Sequence, residues 1–396
     1  MAIPPRWAAI LVIALSSALN YLDRQTLPAL APLLRQEFGL TNADYGLVLS
    51  AFSFAYALSA PVSGWFIDRA GLNRGIIIVV ALWSMAGLGT GLVTGFLGLL
   101  LLRGGLGAAQ AGGVPATGKA TALYLPPQER ALGTATTQIG LSLGAIVAPL
   151  AASWFTAAYG WRSAFLVTGL CGFVWIPLWL VCARRIPPAA ARETSAPKSA
   201  GGVLSDRRLW GMILATILYM TLYSLWSNWT TVYLVDAQGM TQQAANRTLA
   251  WVPPVFANLG GLFGGWLALR WIRGGMSVIR ARMSVSRWSA LLLLATAAIP
   301  FMPTTGLATA LICLSFFWVT AMSVNVYAMP LDIFGAERAA LAVSTLTGAY
   351  GLMQTFLSPA IGSAIDHYGF APVCVVGSLL PLAAFGVLKL MTEREA

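Results

Sequence analysis

An all-α membrane protein is predicted, with twelve transmembrane helices in two pseudo-symmetric six-helix bundles. Three observations predict it. Of 396 residues, 58% are hydrophobic and only 9% are charged, with a mean hydropathy of +0.75, whereas soluble domains carry about 25% charged residues. Nearly uncharged runs of about 20 residues, each long enough to cross ~30 Å of hydrocarbon as a helix, recur from end to end. Short sequences in the first half also return in the second. The composition excludes soluble enzymes, nucleic-acid binders and disordered chains.

The spans follow in order. The first, 8–33, comes directly after Met1 to Arg6 without a small-residue cleavage site, so it reads as a helix and not as a removable leader. The second and third, 45–67 and 75–96, are joined through the stretch 64–74, GWFIDRAGLNR. The fourth, 98–123, carries Arg103, Gln110 and Lys119, with Pro115 between the last two. In the fifth, 131–157, Gly140, Gly144 and Ala148 repeat at the four-residue spacing that permits close helix approach, just before Pro149. The sixth is 163–183. Residues 184–208, with Pro187, Pro188, Pro197, Ser195, Ser199 and mixed charges, read as a polar linker. Beyond it lie 209–235, 248–270, 286–303, 305–330, 339–363 and 371–390. The division is therefore a bundle over 1–183, a linker over 184–208 and a bundle over 209–396.

The formal net charge of +11 would suggest a nucleic-acid partner in a soluble chain. Here the basic residues sit in short loops. Eighteen of the 24 Lys and Arg fall on the side shared by both termini and the linker; three, Arg35, Arg162 and Arg247, fall on the other, and Arg24, Arg103 and Lys119 lie within spans. The positive-inside rule then places the termini and the linker in the cytoplasm. Cys171, Cys182, Cys313 and Cys374 lack metal-ligand or CxxC spacing and read as small buried residues. The single histidine, His367, is assigned to a short loop. No metal or other cofactor is expected.

Three sequence pairs relate the halves. GWFIDR at 64–69 matches GWLALR at 265–270, Glu129-Arg130-Ala131 matches Glu337-Arg338-Ala339, and Tyr159-Gly160-Trp161 matches Tyr368-Gly369-Phe370. Their common order and nearly common spacing indicate duplication. Two parallel six-helix halves are the architecture of carriers that alternate access around a central site.

Charges inside the spans narrow the candidates. Asp23, Arg24, Arg103 and Lys119 would each cost at least ~2.5–3.5 kcal/mol if they faced lipid. They are expected to face a wet cavity or one another, and the surplus of cations favours an anionic solute. Arg24 can hold a carboxylate through two parallel hydrogen bonds, a geometry lysine cannot supply; the alternative is a bridge to another helix. Asn20 and Tyr21 share its face at helical spacing. Asp23, the acid well inside a span, is either a proton carrier or a permanently ionised partner for a cation such as Arg103. Arg103 and Gln110 share a face, and Arg103, near the outer end, has the option of snorkelling outward. Lys119, near the cytoplasmic end, fits a structural or gating role. Tyr56, Gln138, Trp229, Asn258 and Gln354 complete the predicted pocket, with Trp226 a further aromatic candidate.

These residues also carry a family resemblance. The stretch 64–74 resembles the loop motif of the major facilitator superfamily, with Gly64, Asp68, Arg69, Gly71 and Arg74 at the motif positions. The resemblance implies the major facilitator fold and a gating role for Asp68, Arg69 and Arg74. The second copy has Leu269 in place of the acid. Asn20-Tyr21-Leu22-Asp23-Arg24, RGGLGAAQAGGVPATGK at 103–119, Trp251-Val252-Pro253, Phe256-Ala257-Asn258-Leu259-Gly260 and Leu346-Thr347-Gly348 resemble the anion:cation symporter family and its bacterial hexuronate transporters. Three positions depart from that pattern. Gln110 stands where the family usually has a protonatable glutamate, Asn258 where the hexuronate transporters have an acid, and Thr216 where they often have a basic residue.

The expectation is a secondary carrier, not an enzyme, in a bacterial-type inner membrane. It takes up a small organic anion, a sugar acid or monocarboxylate, by proton symport with alternating access; the rival is a proton-independent exchanger or facilitator. The expected partners are that anion, a proton as co-substrate and membrane lipids, with no nucleic acid, and the chain acts as a monomer.

Overall fold

The computed structural model describes residues 4–185 and 204–392, and among them every regular element is helical. Residues 186–203 of the expected linker lie outside the described residues. The chain falls into two compact units, drawn from Met1–Glu193 with Met240–Trp251 and from Thr194–Gly239 with Val252–Ala396.

The first unit holds α1 (Pro5–Phe38), α2 (Asn42–Ala70), α3 (Leu72–Thr90), α4 (Phe96–Gln110), α5 (Gly113–Tyr124), α6 (Arg130–Tyr159) and α7 (Trp161–Arg185). Local chemistry sets the ends. Pro5 opens α1, where a missing N–H costs nothing. Gly39, at φ 63°, closes it in a left-handed turn that returns the Leu40 N–H to Arg35 O at 2.9 Å. Thr41 and Asp44 then form a capping box that starts α2. Packing pairs α1 with α6, α2 with α4 and α3 with α7. Small residues permit the approach: a Cβ on Gly140 would stand 2.3 Å from Ala14 O, one on Gly144 2.2 Å from Ala18 O, and one on Gly107 2.2 Å from Phe52 O. The Trp175 indole N–H donates to Val12 O at 2.7 Å, tying α7 to α1.

The predicted span 98–123 is two helices. Gly112 and Gly113 have poor helix propensity, and the chain turns at Ala111–Gly112 before α5 begins. Pro115 falls in the first turn of α5, where its ring is tolerated. Gln110 and Lys119 therefore sit on separate helices, and the face relation of one straight helix does not apply.

The second unit holds α8 (Arg207–Val232), which continues as a π-turn over Tyr233–Ala237, then α10 (Val252–Arg273), α11 (Val278–Leu292) with a 3-10 extension over Leu293–Phe301, α12 (Thr305–Phe334), α13 (Ala336–Tyr368) and α14 (Phe370–Thr392). A short helix between α8 and α10, α9 (Gln242–Thr248), belongs to the first unit. The pairing order repeats in part: α10 packs with α12, and α11 with its extension against α14, while α8 packs on α14 more extensively than on α13. On α10, a Cβ at Gly260 would stand 2.0 Å from Phe317 O and one at Gly264 2.6 Å from the Ala321 Cα. Among the described residues, eleven helical segments, with α4 and α5 together counting as one, are long and apolar enough to cross a membrane. The 33-residue α13 accounts for the remaining predicted span. Large apolar side chains are exposed, Phe356 at 75% and Val174 at 71%, as expected of helices that lie in lipid.

Three boundaries differ from expectation. The eighth span starts at Val252, because residues 242–248 leave as α9. The ninth starts at Val278, bringing Arg280 and Arg282 into a helix whose opposite face buries Ala281, Val285 and Ser289; hydropathy counting misses such an amphipathic half. His367 lies in the last turn of α13, with Nδ1 2.8 Å from Ser363 O, and not in a loop.

Candidate functional site

One turn of α1 in the first unit presents Asn20, Tyr21, Asp23 and Arg24. Adjacent helical residues point about 100° apart, and the structure uses that angle to separate the acid from the base. Arg24 turns toward α2: its guanidinium carbon lies 4.6 Å from the Phe52 ring centroid, 5.6 Å from Tyr21 and 5.8 Å from Tyr56. Phe52 and Tyr56, one turn apart on α2, stack with centroids 5.9 Å apart. Such rings stabilise a cation by their quadrupole while leaving its N–H groups unspent. Among the described residues, the Arg24 guanidinium makes no hydrogen bond and no ion pair, and its group stays partly open.

Gln110 of α4 meets the same turn of α1. It is 1% exposed and donates from Nε2 to Asn20 O at 3.1 Å, while its Oε1 is buried without a partner among the described residues. Asn20 extends its amide toward Gly113, where a Cβ would lie 3.5 Å from Asn20 Nδ2.

Asp23 points the other way and is 3% exposed. It reaches the crevice between α3 and α7, where Gly87 faces Gly169; a Cβ on Gly87 would lie 3.9 Å from Asp23 Oδ1 and 3.5 Å from Gly169 Cα. Neither carboxylate oxygen makes a hydrogen bond of ordinary geometry among the described residues. Thr168 and Arg103 are the polar groups that act on it. Arg103 is 2% exposed, so it does not snorkel outward. Its Nη1 donates to Arg24 O at 3.5 Å. That carbonyl is available because Pro28, four residues on, has no N–H to give it. The Arg103 guanidinium also lies 6.0 Å from the Phe165 ring and interacts with Tyr45 and Asp23.

The remaining candidates divide. Lys119 donates to Ile67 O at 3.0 Å, Asp68 O at 3.3 Å and Asp68 Oδ1 at 3.0 Å, so it caps the C-terminal end of α2 with a positive charge. Arg69 lies over Trp65 at 5.8 Å, and Arg74 lines a separate pocket of about 310 Å³ with Gly71, Asn73 and Tyr124. Gln138 is exposed on α6. In the second unit, Asn258 is exposed on α10 and donates to Pro254 O at 2.7 Å, and Trp229 is fully buried. Gln354 donates to the Tyr350 hydroxyl, beside Tyr223 and Phe316.

Sequence reasoning missed Phe52, Thr168 and the Gly87–Gly169 contact. Phe52 had a signal, since it lies one helical turn before Tyr56. Thr168 had none, because its role depends on how α7 meets α3.

With this geometry in hand, comparison with known proteins adds three findings. A family model described as Major Facilitator Superfamily matches residues 13–346. A hexuronate transporter of Escherichia coli (strain K12) is 29% identical, the match covering 98% of this chain and 94% of that protein, and a galacturonate transporter of Dickeya chrysanthemi is 28% identical over 67% of this chain and 81% of its own. The fold matches a solved structure of a bacterial homolog to the human lysosomal transporter Spinster, inward-facing and unoccupied, with a TM-score of 0.78, 19% identity, and coverage of 99% of this chain and 96% of that one.

Proposed function

The chain belongs to the major facilitator superfamily, a family of multi-pass membrane transporters and not enzymes, and from that premise we propose that it carries a small organic anion, a sugar acid or monocarboxylate, together with a proton. The observation that carries this reading is the Arg24 guanidinium, faced by three aromatic rings and without hydrogen bond or ion pair among the described residues. A guanidinium kept in that state has its paired N–H groups ready for a carboxylate. Tyr21, Tyr56, Asn20 and Gln110 offer hydroxyl and amide groups to the rest of the solute. Its relatives' names add support, since those proteins are named for hexuronate and galacturonate.

Asp23 takes the proton. Its carboxylate lies in the α3–α7 crevice, apart from the Arg24 rings. Protonation of Asp23 and arrival of a monoanion at Arg24 cancel in charge, so both cross with no net charge moved. Access alternates as residues 1–183, with α9 attached to them, move against the rest of 209–396, with both termini in the cytoplasm of a bacterial inner membrane. Asp68, Arg69, Arg74 and Lys119 serve the gate. Gln138, and in the second unit Asn258, Trp229 and Gln354, are the next positions to test for solute contacts. Exchange or facilitated transport without a proton is the second reading, favoured by the buried neutral Gln110.

Arg24→Lys tests the first reading. Lysine keeps the charge but loses the second parallel hydrogen bond, which removes ~1.5–3 kcal/mol, or roughly 10- to 150-fold in affinity, for D-galacturonate or D-glucuronate in proteoliposomes. Unchanged affinity in a folded Arg24→Lys protein removes Arg24 from the site. Uptake of solute by wild-type vesicles without accompanying proton entry selects the second reading.

A further inference from the structure

The first helix is interrupted where the candidate site ends. Pro28 and Pro32 lie within α1, four residues apart, and each lacks the N–H that would bond the carbonyl four positions earlier. Two rungs of the helix, 28 to 24 and 32 to 28, therefore cannot form. Arg103 occupies the first freed carbonyl, that of Arg24. The rung between Leu33 and Ala29 comes next, and both of its ends are engaged from outside the helix. The Leu33 N–H donates to Gln242 Oε1 at 2.9 Å, and Asn246 Nδ2 donates to Ala29 O at 2.7 Å. Gln242 and Asn246 are one turn apart on the short helix α9 and so share a face.

The seat is built and not grazing. Asn246 and Ala245 are fully buried, Ala29 is 3% exposed, and the Ser153 hydroxyl of α6 donates to Gln243 O at 3.4 Å. Thr241 caps α9 by accepting the Ala244 N–H at 3.2 Å. The segment Met240–Trp251 belongs to the first unit, although the chain on either side belongs to the second. Hydropathy gives no reason for this excursion; the two side-chain amides do.

We propose that α9 is a strap that fixes the bend of α1 at Pro28 and Pro32, and that Asn246 and Gln242 are positioning residues for Arg24 and Asp23. A helix missing two rungs pivots at the gap unless something holds the far side. An amide donor and an amide acceptor, set one turn apart, hold the carbonyl and the N–H of a single rung at once. The segment carrying Asn20, Tyr21, Asp23 and Arg24 then meets α2, α3 and α4 at a fixed angle. The orientation role rests on the reading of Arg24 as the anion ligand; the strap itself does not.

Two variants of equal charge separate geometry from electrostatics. Gln242→Glu keeps an acceptor for the Leu33 N–H, whereas Asn246→Asp removes the donor to Ala29 O and faces one oxygen with another. Hydrogen exchange in the purified full-length protein is followed on peptides covering 25–36. Asn246→Asp is expected to speed exchange there at least tenfold, and Gln242→Glu to stay within twofold of wild type. Asn246→Ala, which loses the donor without adding charge, is measured beside them, so a folding failure of the aspartate variant leaves the answer intact. Equal exchange in wild type and Asn246→Ala, or equal acceleration by Gln242→Glu and Asn246→Asp, overturns the strap. For positioning, Asn246→Ala is expected to raise the KM for D-galacturonate about fivefold or more with maximal rate within twofold. An unchanged KM alongside faster exchange refutes the positioning role and leaves the strap standing. Wild-type protein that ignores D-galacturonate and D-glucuronate while the exchange pattern holds refutes the anion reading instead.

Discussion

Gly144→Ala places a methyl group where α6 rests on the functional turn of α1. The added Cβ would stand 2.2 Å from Ala18 O, 2.9 Å from Tyr21 Cβ and 3.0 Å from Leu22 N. All three atoms are fixed by the α1 backbone, so no side-chain rotation relieves the overlap. A carbon rests about 3.3 Å from a carbonyl oxygen, so the two helices must separate by roughly 1 Å. Overpacking of that kind costs ~1–3 kcal/mol, while alanine returns up to ~1 kcal/mol in helix propensity. The net loss of up to ~2 kcal/mol lowers Tm by roughly 2–4 °C per kcal/mol for a unit of this size. Gly105→Ala is the control: it lies in α4 with nothing within 4 Å of its would-be Cβ, so it gains propensity without overlap. Thermal unfolding of both variants in the same detergent is the assay, with binding of D-galacturonate measured alongside. Gly144→Ala is expected to melt below wild type and to bind more weakly, because Tyr21 moves with its backbone. If it melts at or above Gly105→Ala, the close α1–α6 contact does not exist as described.

Other expectations follow from the same geometry. Asp23→Asn preserves exchange of labelled for unlabelled solute but abolishes uphill uptake driven by a pH gradient; uphill uptake that survives the change removes Asp23 as the proton carrier. Lys119→Met leaves Ile67 O and Asp68 without their ammonium partner and is expected to cost roughly 0.5–2 kcal/mol, read as a lower Tm with substrate affinity unchanged; an affinity loss without a Tm loss would move Lys119 into the binding site. Asp206 begins α8 by accepting the Arg208 N–H at 2.8 Å and pairing with its guanidinium at 2.8 Å, which holds its carboxyl below the usual carboxylate range. The sign follows: its contribution is full above the unfolded value of about 3.9 and is lost as pH falls through the lower folded value. Wild type should lose up to ~1 kcal/mol across that acidic window relative to Asp206→Asn, whose stability there is flatter; parallel pH profiles refute the assignment.

The membrane fold was legible because burial in lipid imposes a coarse rule, long apolar runs, that single residues report independently. The positions of the site were less so. Asn20, Tyr21 and Arg24 were legible as one helical face, since spacing along a helix fixes direction, and the step of about 100° that parts Arg24 from Asp23 has the same origin. Phe52 was not singled out, since apolar residues on α2 look alike until a cation is set against one of them. Arg103 illustrates the limit: its depth in the sequence is compatible with snorkelling, and only Pro28, on a different helix, frees the carbonyl that holds it inward. The helix break after Gln110 had its glycines in plain view, yet whether two glycines bend a helix or merely thin it depends on the neighbours. The α9 excursion had no hydropathic trace, because its anchor is a pair of side-chain amides.

Gly107 on α4 rests over the Phe52 carbonyl of α2, and Gly260 on α10 rests over the Phe317 carbonyl of α12. By order in each half, the glycine belongs to the later helix of the pair in one case and to the earlier helix in the other. What the halves hold in common at this seam is thus a close approach of two backbones, while the residue that permits it lies on opposite members of the pair. Chimaeras that exchange α2 for α10 would bring two bulky walls together in one half and two notches in the other. Exchanging each helix together with its mate keeps every notch opposite its wall, so the heritable module of this architecture is the pair.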